Sequence, residues 1–201
     1  MTRLTSRKRT EITEDLIELD DRYTVLFESY TADQLLWPPG CDGWSIAQCI
    51  EHVARMNSAY LIAIKTAIST NLGPAGFQQQ SITTAGWFST YFLKTVSPEG
   101  KPKLPSPKIG RPSAAVLPSN PEAALRELKH THEEIRAILS SSNQPDLNGI
   151  RFKNPFVPFV RFTVGSGILI MAGHGRRHLL QAERICQMEN FPKAQSVGKT
   201  A

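Results

Sequence analysis

The feature that most constrains this chain is one long run of helix breakers set between helical segments. Residues 73–121 hold eight of the 14 prolines and five of the 13 glycines, so regular structure there must be interrupted. A bare loop of that length is unusual in a compact domain, and the aromatic patch Trp87, Phe88, Tyr91 and Phe92 marks a short helix inside it. The remainder, about Ser97 to Ser119, reads as an extended crossover.

Around that run, four segments carry apolar residues at three- and four-residue steps, the period of a helix with one buried face. Ile12, Leu16, Leu19, Tyr23, Leu26 and Tyr30 set a first helix over about Thr10 to Tyr30, with acids crowded at its start, where the helix dipole favours them. A second begins at Trp44-Ser45, where Ser45 caps and Gln48 completes a capping box, and runs through Ile46, Ile50, Val53, Tyr60 and Ile64 to about Thr70. A third opens with Asn120-Pro121-Glu122 and buries Leu125, Leu128, Ile135 and Leu139. The fourth spans about Thr163 to Met188 after a Pro/Phe-rich connector, Phe152 to Phe162, and is apolar almost all round in its first half, as a buried helix is. No alternating apolar/polar run is long enough for a sheet. The expectation is an all-α protein, a four-helix bundle with a long crossover between its second and third helices. It forms one domain over residues 1–201, with a basic tail at 1–9, the 73–121 insertion and a flexible tail at 190–201.

Charge excludes one class of partner. The chain carries 23 Lys plus Arg against 18 Asp plus Glu. Arg3, Arg7, Lys8 and Arg9 at one end and Lys193 and Lys199 at the other account for six of the basic residues, which leaves 17 against 18 in the body. A surface built to grip nucleic acid is absent from that balance. No apolar run reaches the ~18 residues of a membrane span, and the six acids between Glu11 and Asp21 stand where a signal peptide needs its apolar core. A cytoplasmic protein is expected. Cys41, Cys49 and Cys186, an odd number without metal-like spacing, read as free thiols with no nucleophilic role.

Chemistry concentrates on the histidines. His174 and His178 are four apart on the fourth helix, so both imidazoles emerge from one face a turn apart, a chelating geometry for a divalent metal. Gly167, Ile170 and Met171 before them and Ile185 after them turn that face inward. His52 lies on the second helix in the stripe Cys49, His52, Met56, Ala59, Ala63, whose small residues leave room beside it; a core histidine satisfied by a nearby acceptor is the alternative there. Three inward histidines with a coordination position left open form a catalytic rather than a structural ligand set, with zinc the default and nickel, iron or manganese also suited. Gly173 and Gly175 flank His174 and weaken the helix, either for function or for the close approach of a neighbour. Gln181 and Arg177 on or beside the same face are candidates to orient a ligand or bind substrate. His132, in the buried stripe of the third helix, is a further candidate, whereas His130 falls on the solvated side.

Two motifs then carry a likeness. Gly43-Trp44-Ser45-Ile46-Ala47-Gln48 leading to Glu51-His52, and Gly173-His174-Gly175-Arg176-Arg177-His178-Leu179-Leu180-Gln181 leading to Glu183-Arg184-Ile185, resemble the DinB-like (DinB/YfiT) superfamily of metal-binding four-helix bundles. Asp33-Gln34-Leu35 and Trp37-Pro38-Pro39 are similar to the family's approach to its first motif. The likeness departs in the Pro-rich middle and at Asn154-Pro155, where relatives often carry a histidine before the proline. The resemblance implies metal ligands at His52, His174 and His178. It also implies a reaction drawn from a broad set that includes transferases of low-molecular-weight thiols and thiol-dependent isomerases. Three functions are therefore expected in competition. The first is a thiol transferase acting on a small-molecule substrate, the second a metal-dependent hydrolase. The third is a non-catalytic metal-binding stress-response bundle that forms a homodimer through the Trp87 to Phe92 aromatics.

Overall fold

The computed structural model describes residues 6–40, 43–71, 81–100, 110–112, 121–142 and 145–193. The chain is mostly helical and folds as β1 (Ser6–Lys8), α1 (Arg9–Glu28), α2 (Ala32–Leu36), α3 (Ile46–Thr70), β2 (Ser81–Thr83), α4 (Gly86–Val96), α5 (Pro121–Ser140), β3 (Arg151–Lys153), β4 (Arg161–Thr163) and α6 (Val164–Cys186). The four long helices are the four periodic segments of the sequence. Asn120, expected as the cap of α5, lies outside the described residues, as does most of the expected crossover.

Each helix turns its apolar stripe to one shared core. Ile12, Leu16, Leu19, Tyr23 and Leu26 of α1 are buried with Ile46, Ile50, Val53 and Ile64 of α3, Leu128 and Ile135 of α5, and the continuous run Val164 to Met171 of α6. α1 and α3 each pack against both α5 and α6, and α4 lies along α6. Polar ties cross these seams. Tyr23 donates its hydroxyl to the Gly175 carbonyl at 2.8 Å, and Arg22 holds both Glu183 oxygens at 2.6 and 2.9 Å. The aromatic patch does form a helix, α4. It is amphipathic: Phe88 and Phe92 pack on Phe162, whereas Trp87 and Tyr91 are 80% and 50% exposed.

Two small antiparallel ladders depart from the purely helical expectation. β1 pairs with β2, Arg7 opposite Ile82, and β3 pairs with β4, Phe152 opposite Phe162. The connector before α6 is thus a hairpin. Three-residue strands are too short to show a two-residue period, and the aromatic pair that holds the hairpin is seen only once the chain turns back. The first ladder also orders part of the expected basic tail. Arg7 bonds Glu11 and Asp15, and Arg9 is buried and donates to the Leu139 carbonyl at 3.0 Å. At the other end, Phe191 stacks edge-on against Tyr30 and Trp37, and Gln34 donates to the Pro192 carbonyl. Among the described residues, no helix is long and apolar enough to cross a membrane.

Candidate functional site

Local capping sets the register of both histidine-bearing helices. Ser45 Oγ accepts from the Gln48 amide while Gln48 Oε1 accepts from the Ser45 amide, which starts α3 and turns His52 inward two turns later. On α6, Thr163 Oγ1 accepts from the Ser166 amide at 3.1 Å and starts the helix that carries His174 and His178.

The three imidazoles meet. His174 Nε2 lies 3.2 Å from His52 Nε2 and 3.1 Å from His178 Nε2, and the ligand atoms of all three gather within 4.8 Å. Zinc–nitrogen bonds of ~2.0–2.1 Å at a tetrahedral angle place two donor atoms about 3.3–3.4 Å apart, so this spacing suits a single small divalent ion. Protonation suits it too. His52 donates its Nδ1 proton to the Gly110 carbonyl, which leaves its Nε2 lone pair bare and facing the other two rings. Burial pushes the His174 pKa well below the ordinary histidine value, with His178, His52 and Arg177 adding to the fall. Burial also lowers His52, against the pull of the Gly110 bond, and takes His178 down to about 3. All three rings are therefore neutral at pH 7, the state in which imidazole ligates a metal.

Other residues shape the surroundings. Trp44, next to the α3 cap, places its ring 4.7 Å from that of His52 and 5.8 Å from that of His178, nearly parallel to the latter. The cluster opens into a cavity of ≈ 960 Å³. Its walls include Met56, Phe92, Phe156, Ile170, Met171 and Ile185, with Gln181, Arg184 and Glu99 as polar or charged members. Gln181 is close enough to oppose the fall in the His178 pKa but is not aligned to bond Nδ1 of that ring, which has no partner. Arg177 reaches the cavity wall, yet one of its nitrogens, Nη1, donates to the carbonyls of Thr95, Ser97 and Gly100 at 2.9, 3.0 and 3.3 Å. That arginine ties the end of α4 to the histidine helix. His132 is fully buried, as its stripe implies, but its Nδ1 bonds Asp20 Oδ1 at 2.6 Å and it takes no part in the three-histidine group. Burial pushes the Cys49 thiol up to about 12, so it stays protonated; Cys186 is also free, and Cys41 lies outside the described residues.

Sequence reading missed Gly110, Trp44 and Glu99 as parts of the site. Trp44 stood in the first motif, beside the cap, where a signal existed. Gly110 and Glu99 reach the site from the Pro-rich segment, where no periodicity indicates which residues face inward.

A mostly helical fold gathers three neutral histidines around one point, a group that could hold a metal ion. The profile of the DinB superfamily matches residues 16–182, which include all three histidines, and the chain belongs to that superfamily. No curated protein and no solved structure matches it.

Proposed function

We propose that the protein is a metal-dependent enzyme that joins a low-molecular-weight thiol to an electrophilic small molecule, with His52, His174 and His178 holding one divalent ion. Zinc is the default for three imidazoles, and nickel, iron or manganese would be accepted by the same donors. The reading takes α1, α3, α5 and α6 as a four-helix bundle whose crossover borders the site. The observation that carries it is the meeting of three neutral imidazoles beside an open cavity, with His174 Nε2 at 3.2 and 3.1 Å from Nε2 of His52 and of His178.

When bound there, such an ion lowers the pKa of a thiol or a water at its open position. The chain supplies the rest. The Gly110 carbonyl fixes the His52 tautomer, Trp44 shields two of the rings from water, and the apolar cavity walls strengthen charge interactions within. Arg177 keeps α4 against α6 so that the cavity holds its shape. No carboxylate stands on the histidine face of α6, and a thiolate needs no general base once formed.

One observation favours hydrolysis as the second reading. Glu99 is the one carboxylate among the described residues that line the cavity, and water attack is helped by such a base. Two measurements test these readings. Freshly purified protein is expected to carry about one metal ion per chain by elemental analysis, with a His178→Ala variant losing most of it while remaining helical. The cobalt-substituted protein should change its visible spectrum when titrated with small thiols. A spectrum indifferent to every thiol, with ester cleavage that disappears in Glu99→Gln, would replace the transferase by the hydrolase.

A further inference from the structure

Beyond the histidines, α3 sends two more polar side chains to the cavity, and both are left incomplete by the protein. Asn57 and Tyr60 line it and are 1% and 3% exposed. Asn57 donates from Nδ2 to Thr131 Oγ1 at 3.1 Å. The Thr131 hydroxyl proton is already given to the Leu128 carbonyl at 2.7 Å, so Thr131 can only accept from Asn57. That fixes the amide orientation and leaves Asn57 Oδ1 as a buried acceptor with no partner.

Tyr60 is held in the complementary state. Asn154 Oδ1 accepts from the amides of Phe156 and Val157 at 2.7 and 3.1 Å, which commits its Nδ2 to donate to Tyr60 Oη at 3.1 Å. The tyrosine oxygen is thereby an acceptor, and its own proton has no acceptor among the described residues. A buried acceptor without a donor and a buried hydroxyl without an acceptor each lose about the strength of a hydrogen bond until something fills the space.

We infer that Asn57 and Tyr60 form a subsite for a secondary amide of the bound small molecule, whose N–H donates to Asn57 Oδ1 and whose carbonyl accepts from Tyr60 Oη–H. Asn57 lies five residues beyond His52, about 7.5 Å along the helix axis, and Tyr60 about 12 Å. A small molecule whose sulfur sits among the histidines shares one cavity with these two groups. Placing the thiol there rests on the proposed function; the amide subsite itself does not. Burial raises the Tyr60 pKa above the ordinary tyrosine value, so the hydroxyl keeps the proton it must donate.

The test compares ligands that differ by one group. N-acetylcysteamine carries the amide, and 2-mercaptoethyl acetate replaces its N–H by an ester oxygen. With the metal-loaded protein, calorimetry should show the amide binding about tenfold tighter, because the ester leaves Asn57 Oδ1 unpaired. Asn57→Leu should reduce that preference to about twofold or less. Tyr60→Phe should weaken both ligands about equally while keeping their ratio, which gives a second reading if Asn57→Leu fails to fold. The thiol-free pair N-butylacetamide and butyl acetate separates this subsite from the thiol reading. If no thiol perturbs the cobalt spectrum yet the thiol-free amide keeps its advantage and loses it in Asn57→Leu, the thiol reading falls and the subsite stands. Equal binding of amide and ester to the unmutated protein, or a preference that survives Asn57→Leu, overturns the subsite and leaves the two groups to ordered water.

Discussion

At the scale of single residues, His132 shows how far a sequence pattern reaches. Its place in the stripe Leu125, Leu128, Ile135, Leu139 implied an inward imidazole, and it is buried. Which neighbour it meets depends on the helix opposite. α1 brings Asp20, whose Oδ1 takes the His132 Nδ1 contact at 2.6 Å and whose Oδ2 takes Arg136 at 2.7 Å. Asp20 thus joins α1 to α5 through charged hydrogen bonds with little solvent, and removing it strands a buried imidazole. Asp20→Ala should destabilise the protein by about 3 kcal/mol in urea unfolding, with metal content unchanged because the three-histidine group is separate. Loss of the metal along with stability would show that His132 belongs to the site after all. The three clustered histidines were legible because spacing within one helix, and an inward stripe on another, are local facts. The Gly110 contact with His52 spans 58 residues of chain and left no local trace.

At the scale of elements, caps and long helices could be read and short strands could not. Ser45 with Gln48 forms the capping box that the sequence implied, because its partners are three residues apart. The β3–β4 hairpin depends on Phe152 meeting Phe162 across a turn, and β1–β2 on segments over 70 residues apart. The glycines around His174 divide two explanations that the sequence held equal. A Cβ on Gly173 would stand 3.0 Å from Ser97 Oγ and 3.2 Å from Leu93 Cδ1, so these two side chains at the end of α4 would have to give by a few tenths of an ångström. A Cβ on Gly175 would meet only ordinary contacts, Leu19 at 3.6 Å and Val53 at 3.8 Å. Gly175→Ala should therefore stabilise α6 by about 0.5–1 kcal/mol through helix propensity, whereas Gly173→Ala gains nothing or loses stability. Thermal unfolding of the two variants decides the matter: a lower melting temperature in Gly175→Ala would mean that the helix needs that glycine for a reason other than space.

At the scale of the whole molecule, the histidine cluster ties stability to pH. In the folded, metal-free protein all three ring pKa values lie below the ordinary 6.5, with burial the first cause in each, and His178 falls to about 3. The unfolded chain binds protons at these rings as pH drops through 6.5, while the folded chain does not until far lower. Stability is therefore unaffected above pH 6.5 and is lost progressively below it, down to the folded values. His178 alone, nearly buried, contributes about 2 kcal/mol of loss between pH 7 and pH 5, and the other two rings deepen it. The apolar side chains that join α1, α3, α5 and α6 pack together without needing a bound ion, so protein treated with a chelator should stay folded at pH 7. Urea unfolding of that metal-free protein should show a midpoint falling steeply from pH 7 to pH 5, and a shallower fall in His178→Ala, which has one depressed imidazole fewer. A chelated protein that melts at pH 7 would make the metal a structural strut, and equal slopes in the two proteins would mean that these rings are already solvated in the folded state.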